Sequence, residues 1–259
     1  MKEKTKNLEL KLKSCSKYYQ KMNCLKDSFK DQTCYIIGCG PSLNEIDADS
    51  LKKTIQNDLV FSIKQAYFPF EDLVDFHFFN CNNFTPFENK GHTIYCSQAD
   101  ALTEIAAQKY IWKDQKYDLN FVLRDNKIID NRLSRSYDFD KWCFSKTLNR
   151  PWGPGIISET VFYMAKHLGV SKIRTIGWDH IDPNSTDTSI EHFYKDDQFS
   201  INSKASKIDK QELLDSIELS RQTFLWLKKN KIDLEVLESD KCFVHKDVSR
   251  FNLKMEINK

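Results

Sequence analysis

The sequence predicts an α/β protein whose mostly parallel sheet carries helices on both faces. Three observations lead there. Short runs rich in Val, Ile, Phe and Tyr alternate with stretches of helical apolar spacing. The first strong run, "CYIIGCGPSL" (34–43), drops abruptly from apolar residues into glycine, proline and serine. No internal repeat, low-complexity segment or composition break divides the chain after Thr33.

Residues 1–32 are Lys-rich, with Leu8, Leu10, Leu12, Tyr18, Tyr19, Met22 and Leu25 at loose helical spacing. They form an N-terminal basic helical extension with two readings: a solvated helix packed on one side of the domain, or a basic amphipathic helix on an anionic membrane surface. "TCYIIGC" (33–39) is the first strand. Ser42 followed three residues later by Glu45 has capping-box spacing and predicts a short helix starting there. Strands follow at 58–63, 74–80, 92–97 and 119–124, with helical spacing over 99–112. Residues 125–150 show no clean period and read as a surface excursion. A strong helix over 154–170 places Ile157, Val161, Met164, Ala165 and Leu168 on one side, and Gly169 stops it. A strand over 172–178 runs into Gly177 and Asp179. The polar segment 182–207 reads as a lid, followed by the longest helix (209–230) and a last strand (232–239). The whole of 33–259 is then one Rossmann-like domain with helices on both faces and a lid segment.

Composition narrows the function. Basic and acidic residues nearly balance, 39 against 37, so nothing asks for a nucleic-acid partner. No run approaches the ~18 apolar residues of a membrane helix, and the N-terminus lacks the order of a signal peptide. The eight cysteines include no C-x-x-C pair, which weighs against zinc and a disulfide framework and fits a reducing cytoplasm. No D-x-D stands at a strand end and no histidine pair has ligand spacing, so no metal is expected.

In an open parallel sheet, ligands lie beyond the carboxyl ends of the strands. Gly38–Ser42, Lys64–Gln65, Asn80 with Asn82 and Asn83, and Asp179–His180 all fall at such ends. Gly38 and Gly40 let backbone approach a ligand, Pro41 fixes a helical φ, and Ser42 can cap. Exposed N–H groups there suit a phosphate, although the turn is neither G-x-G-x-x-G nor a Walker A loop; a ligand-free strand-to-helix turn fits equally. "NRPWGPGIISE" (149–159) is a stiff loop opening a helix, with Arg150 as an anion clamp. Asp179, at a strand end near Gly177, can accept ligand hydroxyls or cap a loop. His192, in the lid, suits a general base with an unperturbed pKa of ~6.5; a plain surface histidine beside Glu191 is the other reading. His77 and His167 sit inside regular elements and read as structural, and His92 and His245 have no supporting constellation.

"IIGCGPSLNEID" (36–47) resembles the opening motif of the bacterial lipooligosaccharide sialyltransferases, glycosyltransferase family 42. "FSIKQAYF" (61–68) resembles that family's second strand, where an Asn-Gln pair contacts the nucleotide; here it is Lys64–Gln65. "FHFFN" (76–80) resembles the third, and Asn80 matches its nucleotide-contacting Asn. "GPGIISETVFYMAKHLGVSKIRTIGWDHID" (153–182) resembles the T-S-G loop, helix, strand and G-x-D, matching at Gly155 and Asp179. "EHFY" (191–194) resembles the lid segment with the catalytic histidine. The likeness covers about 33–240 and extends to the flagellar motility accessory factors and the 6-hydroxymethylpterin pyrophosphokinase-like proteins.

The resemblance implies a cytoplasmic glycosyltransferase, at most peripheral to the inner membrane face. It would move a sialic, other nonulosonic or Kdo-type acid from a CMP-activated donor to a surface-glycan or lipid-linked hydroxyl. His192 and Arg150 would be catalytic. Gly38, Cys39, Gly40, Pro41, Ser42, Lys64, Gln65, Asn80, Pro154, Gly155, Asp179, His180 and Tyr194 would hold the nucleotide sugar. Besides Lys64 in place of the Asn, the chain departs from the pattern in four places. Pro154 replaces a Ser, Ile181 a phosphate-contacting Tyr, Arg150 is one position off register, and His192 lies at the start of the lid rather than near its end. No cofactor is implied beyond the donor. A homo-oligomer stays open. The alternatives are a pterin pyrophosphokinase-like diphosphotransferase, which would need Mg²⁺ and paired carboxylates, and a non-catalytic nucleotide-binding module.

Overall fold

The computed structural model of the chain describes residues 2–16, 18–80, 91–100, 118–123, 157–182, 184–187, 189, 191–194 and 210–253. Eight strands form one sheet in the order β5-β4-β3-β2-β1-β6-β7-β8. They are β1 (Thr33–Ile37), β2 (Leu59–Ile63), β3 (Phe76–Asn80), β4 (Ile94–Asp100), β5 (Leu119–Leu123), β6 (Lys172–Ile176), β7 (Asp233–Leu237) and β8 (Ser249–Phe251). Every neighbouring pair is parallel. The helices are α1 (Lys2–Ser14), α2 (Tyr18–Leu25), α3 (Ala48–Ile55), α4 (Ile157–His167) and α5 (Lys210–Lys229). This is the Rossmann-like arrangement expected from the alternating sequence pattern.

Period-two alternation splits the strands between two cores. On one face Cys34, Ile36, Leu59, Phe61, Phe76, Phe78 and Ile173 pack with α1, α2, α4 and α5. On the other, Tyr35, Ile37, Val60, Phe79 and Ile176 pack with Leu51 and Ile55 of α3 and with Tyr67 and Phe70 of a 3₁₀ segment, Lys64–Phe70. Central strands buried on both faces read as unbroken apolar runs, which is why β1 and β2 stand out in the sequence.

Local signals explain several boundaries. Gly169, at φ +83°, ends α4. Its N–H donates to the Lys166 carbonyl, and the Val170 N–H donates to that of Ala165, a Schellman stop. The predicted capping box does not form. Pro41–Glu45 is only a 3₁₀ turn, and α3 begins after Asp47, whose side chain accepts the Ser50 N–H at 2.8 Å. The predicted helix over 99–112 falls largely outside the described residues, and Ala99 and Asp100 belong to β4. β8 is only three residues long and has no alternation long enough to read.

The N-terminal helices belong to the core. Leu8 and Leu12 of α1 and Met22 and Leu25 of α2 are buried in it, whereas Leu10 of α1 is exposed. Among the described residues no helix is long and apolar enough to cross a membrane. Asp75, wholly buried ahead of β3, anchors α1. It accepts from the Thr5 hydroxyl at 2.7 Å and the Val60 N–H at 3.0 Å, and pairs with Lys2 at 3.3 Å. Burial raises its carboxyl pKa, while Lys2, Thr5 and Val60 pull it back. Asp75→Ala would leave the Thr5 and Val60 donors unpaired, at a cost of about 2–3 kcal/mol. Urea unfolding should show that loss; a variant within 0.5 kcal/mol of the parent, about the scatter of surface substitutions, would contradict the anchor.

Candidate functional site

A doubly wound sheet opens a crevice where its strand order reverses. Here that point lies between β1 and β6. The chain leaves β1 towards α3 on one face, whereas the helices nearest β6 in sequence, α4 and α5, lie on the other.

At this point the two strands end against each other. The Gly38 N–H donates to the Ile176 carbonyl at 2.7 Å, and the Gly40 N–H to that of Gly177 at 2.8 Å. Gly177 holds φ +70°, and a Cβ on either Gly38 or Gly177 would collide with the other's carbonyl. A Cβ on Gly40 would strike the Asp179 carboxylate. Both carboxylate oxygens accept from Ser42, Oδ2 from its N–H and Oδ1 from its hydroxyl, each at 2.7 Å. The Ser42 hydroxyl in turn accepts the Gly177 N–H at 3.2 Å. Burial raises the Asp179 carboxyl pKa, against the pull of the Ser42 bonds.

These bonds correct one expectation. The N–H groups of Gly38, Gly40 and Ser42 are donors inside the protein, so the turn does not offer them as a phosphate cradle. Its glycines serve a different end, letting two strand ends meet closely. Of the two roles expected of Asp179, these bonds are the loop-capping one: its carboxylate locks the turn.

Lys64, the first residue after β2, lies in the left-handed region at φ +50°. For a side chain with a Cβ that costs on the order of 1 kcal/mol, a strain typical of sites where geometry matters. Desolvation lowers its ammonium pKa and neighbouring Cys39 raises it. Gln65 beside it is buried. The Cys39 thiol donates to the Ile63 carbonyl at 3.1 Å, tying the glycine turn to the end of β2, and burial pushes its pKa up to about 11.

The start of the lid segment lies on the same turn. The Phe193 N–H donates to the Cys39 carbonyl at 2.9 Å, and the Phe193 ring packs against the second core. The flanking rings of His192 and Tyr194 stack at 5.0 Å and 5°. His180 lies edge-on to Trp178 at 5.5 Å and bridges Phe243 through its backbone. Its buried Nε2 has no partner among the described residues, and burial holds its pKa down at about 4. Asn80 ends β3 beside Gln98 of β4. Arg150, Pro154, Gly155 and the "PWGPG" loop lie outside the described residues, as do Asn82, Asn83 and lid positions 195–207. The structure thus brings Gly38–Ser42, Lys64, Gln65, Asp179 and Phe193 onto one turn.

Sequence reading missed the Ser42–Asp179 lock and the support from residues 242–243, where the Cys242 thiol donates to the Trp178 carbonyl at 3.8 Å. "KCFVH" has no periodic signal that could have shown this. Also missed was a polar aromatic cluster beneath β2 and β3. His77 Nδ1 meets the Ser62 hydroxyl at 2.9 Å, its ring lies tilted against that of Tyr67 with centroids 4.5 Å apart, and the Tyr67 and Tyr95 hydroxyls meet at 3.0 Å. Among the described residues no group of three or more His, Cys, Asp and Glu side chains could hold a metal ion.

No protein-family model and no curated protein matches the chain. Among solved structures, it is similar to the MAf glycosyltransferase from Magnetospirillum magneticum AMB-1, with a TM-score of 0.47 and 11% identity over 88% of this chain and 35% of that one. It is also similar to the sialyltransferase CstII from Campylobacter jejuni, solved with a substrate analogue, cytidine-5′-monophosphate. There the TM-score is 0.39 and the identity 17%, over 82% of this chain and 81% of that one. The chain therefore spans about a third of the length of the first relative.

Two outcomes test this geometry. Gly177→Ala combines a left-handed backbone with a carbonyl collision and should cost about 3 kcal/mol in denaturant unfolding; an undiminished midpoint would contradict the contact. His77 is buried with its pKa lowered to about 3 by desolvation, so the folded state binds its proton far less readily than the unfolded state. Its contribution to stability is full above the unfolded value of ~6.5 and is lost as pH falls towards 3, at up to about 1.4 kcal/mol per pH unit. His77→Gln should flatten the stability profile between pH 6.5 and 4, and an unchanged slope would contradict the neutral buried imidazole.

Proposed function

We propose that this chain is a glycosyltransferase. It moves a sialic, other nonulosonic or Kdo-type acid from a CMP-activated donor to a surface-glycan or lipid-linked hydroxyl. The observation that carries the reading is the bonding of Ser42 to Asp179, which joins two motifs 137 residues apart at the reversal point of a parallel sheet. The resemblance of those motifs to the family 42 pattern selects the chemistry.

In this reading the donor lies over the Gly38–Ser42 turn, whose shape the Gly38–Gly177 contact and the Ser42–Asp179 bonds fix. The turn's amides are internally bonded, so Lys64 meets the donor's phosphate, assisted by Arg150. Gln65, Asn80 and His180 orient the nucleotide and Tyr194 flanks it, while Asp179 holds the turn in place. The acceptor oxygen forms its bond to the anomeric carbon as the bond to the phosphate oxygen breaks, and the electron pair leaves with CMP. His192 takes the acceptor's proton. No step calls for a metal. The position of residues 191–194 on the Cys39 carbonyl supports His192 as the base over histidines in regular elements.

The test is a radiolabelled transfer assay with CMP-linked nonulosonic and Kdo-type donors in EDTA. His192→Ala should lose about 10²–10⁴-fold in turnover while binding CMP as the parent does. Full turnover in that variant would overturn the base assignment. Transfer of diphosphate from ATP to a pterin alcohol, requiring Mg²⁺, would overturn the class.

A further inference from the structure

Cys15 follows α1 and Cys24 lies in the last turn of α2, and their sulfurs are 3.7 Å apart. Both are free thiols and both are partly exposed. The Cys15 thiol also donates to the Lys11 carbonyl at 3.3 Å, which fixes its rotamer near α2. A disulfide needs the sulfurs at about 2.05 Å, so bond formation must draw this pair closer together. Other described cysteines lack this combination. Cys34, Cys96 and Cys242 are buried, and Cys39 bonds the Ile63 carbonyl. Access is also provided, because Cys24 lines an open surface groove with Lys4, Lys11, Lys26 and Ser28. These three ammonium groups outnumber the carboxylate of Glu3, which also lines the groove, and favour approach by an anionic reagent.

We propose that Cys15 and Cys24 are a reversible modification site, a disulfide that staples α1 to α2 when a low-molecular-weight disulfide is present. The Cys24 thiolate, entered from the groove, attacks one sulfur of the reagent and displaces its partner as a thiolate. The Cys15 thiolate then attacks the Cys24 sulfur and displaces the second. The two protein thiols lose two protons and two electrons, and the reagent is reduced to two thiols. Burial, followed by the neighbouring Cys15, raises the Cys24 pKa, so the first attack is slow near neutrality and quickens as pH rises. The staple acts on the N-terminal helices, whose Leu8, Leu12, Met22 and Leu25 share one core. Once joined, α1 cannot lift away without α2.

The test uses the full chain treated with oxidised glutathione, then alkylated and digested with trypsin. Cleavage after Lys13, Lys17, Lys21 and Lys26 puts the two cysteines on separate peptides. The expected product is those peptides joined, lighter than their sum by two hydrogens and released by dithiothreitol. Cys15→Ser should instead trap glutathione on Cys24. Oxidation should also slow cleavage of α1 by dilute protease several-fold in the parent and leave Cys15→Ser unchanged. Both cysteines remaining alkylated, either pairing elsewhere, or equal cleavage rates before and after oxidation would overturn the proposal.

Discussion

The structure depends on a close backbone contact. Gly38 and Gly177 meet where β1 and β6 end, and neither could carry a Cβ there. Since β1 and β6 flank the reversal in strand order, this contact lies where such sheets open a crevice. The Ser42–Asp179 bonds then hold the turn in one conformation. A carboxylate accepting two donors in a partly buried setting resists displacement, because breaking it leaves both sides unpaired. The same lock explains why the turn's amides are not a phosphate cradle: they are what holds the two strand ends together.

Around that contact the sheet distributes its load by strand parity. Residues of one parity form the core shared with α1, α2, α4 and α5, and residues of the other parity form the core shared with α3. One set of polar groups enters where the register supplies partners. Tyr35, Arg174 and Glu235 stand side by side on β1, β6 and β7, with Arg174 bonding Glu235 at 2.8 Å and the Tyr35 hydroxyl at 2.9 Å. Asp75 does the same beneath β2 and β3. The crevice can then hold strained or desolvated groups such as Lys64 because the layers beneath it are well packed.

The strands were legible because parallel strands buried on both faces read as apolar runs, and α4 was legible because its apolar period ends at Gly169. The partners of Ser42 were not. Its spacing to Glu45 fits a local cap, but its hydroxyl and N–H both reach Asp179, 137 residues away. A local pattern cannot register such a long-range competitor, and Asp47 takes the capping role instead. Short elements such as β8 escape for another reason, since three residues carry no period. Strand-end position did point to Gly38–Ser42, Lys64–Gln65 and Asp179, because in this topology every strand's carboxyl end faces the same side.

The central claim is that this locked turn is one wall of a nucleotide pocket. The most direct measurement is calorimetric titration of the full chain with CMP, UDP, GDP and ATP, in metal-free buffer and again with Mg²⁺, with Asp179→Ala alongside. Saturable binding of CMP over the others, weakened at least tenfold in a still-folded Asp179→Ala, is the predicted result. Equal affinity in parent and variant, or binding of ATP alone and only with Mg²⁺, would contradict it.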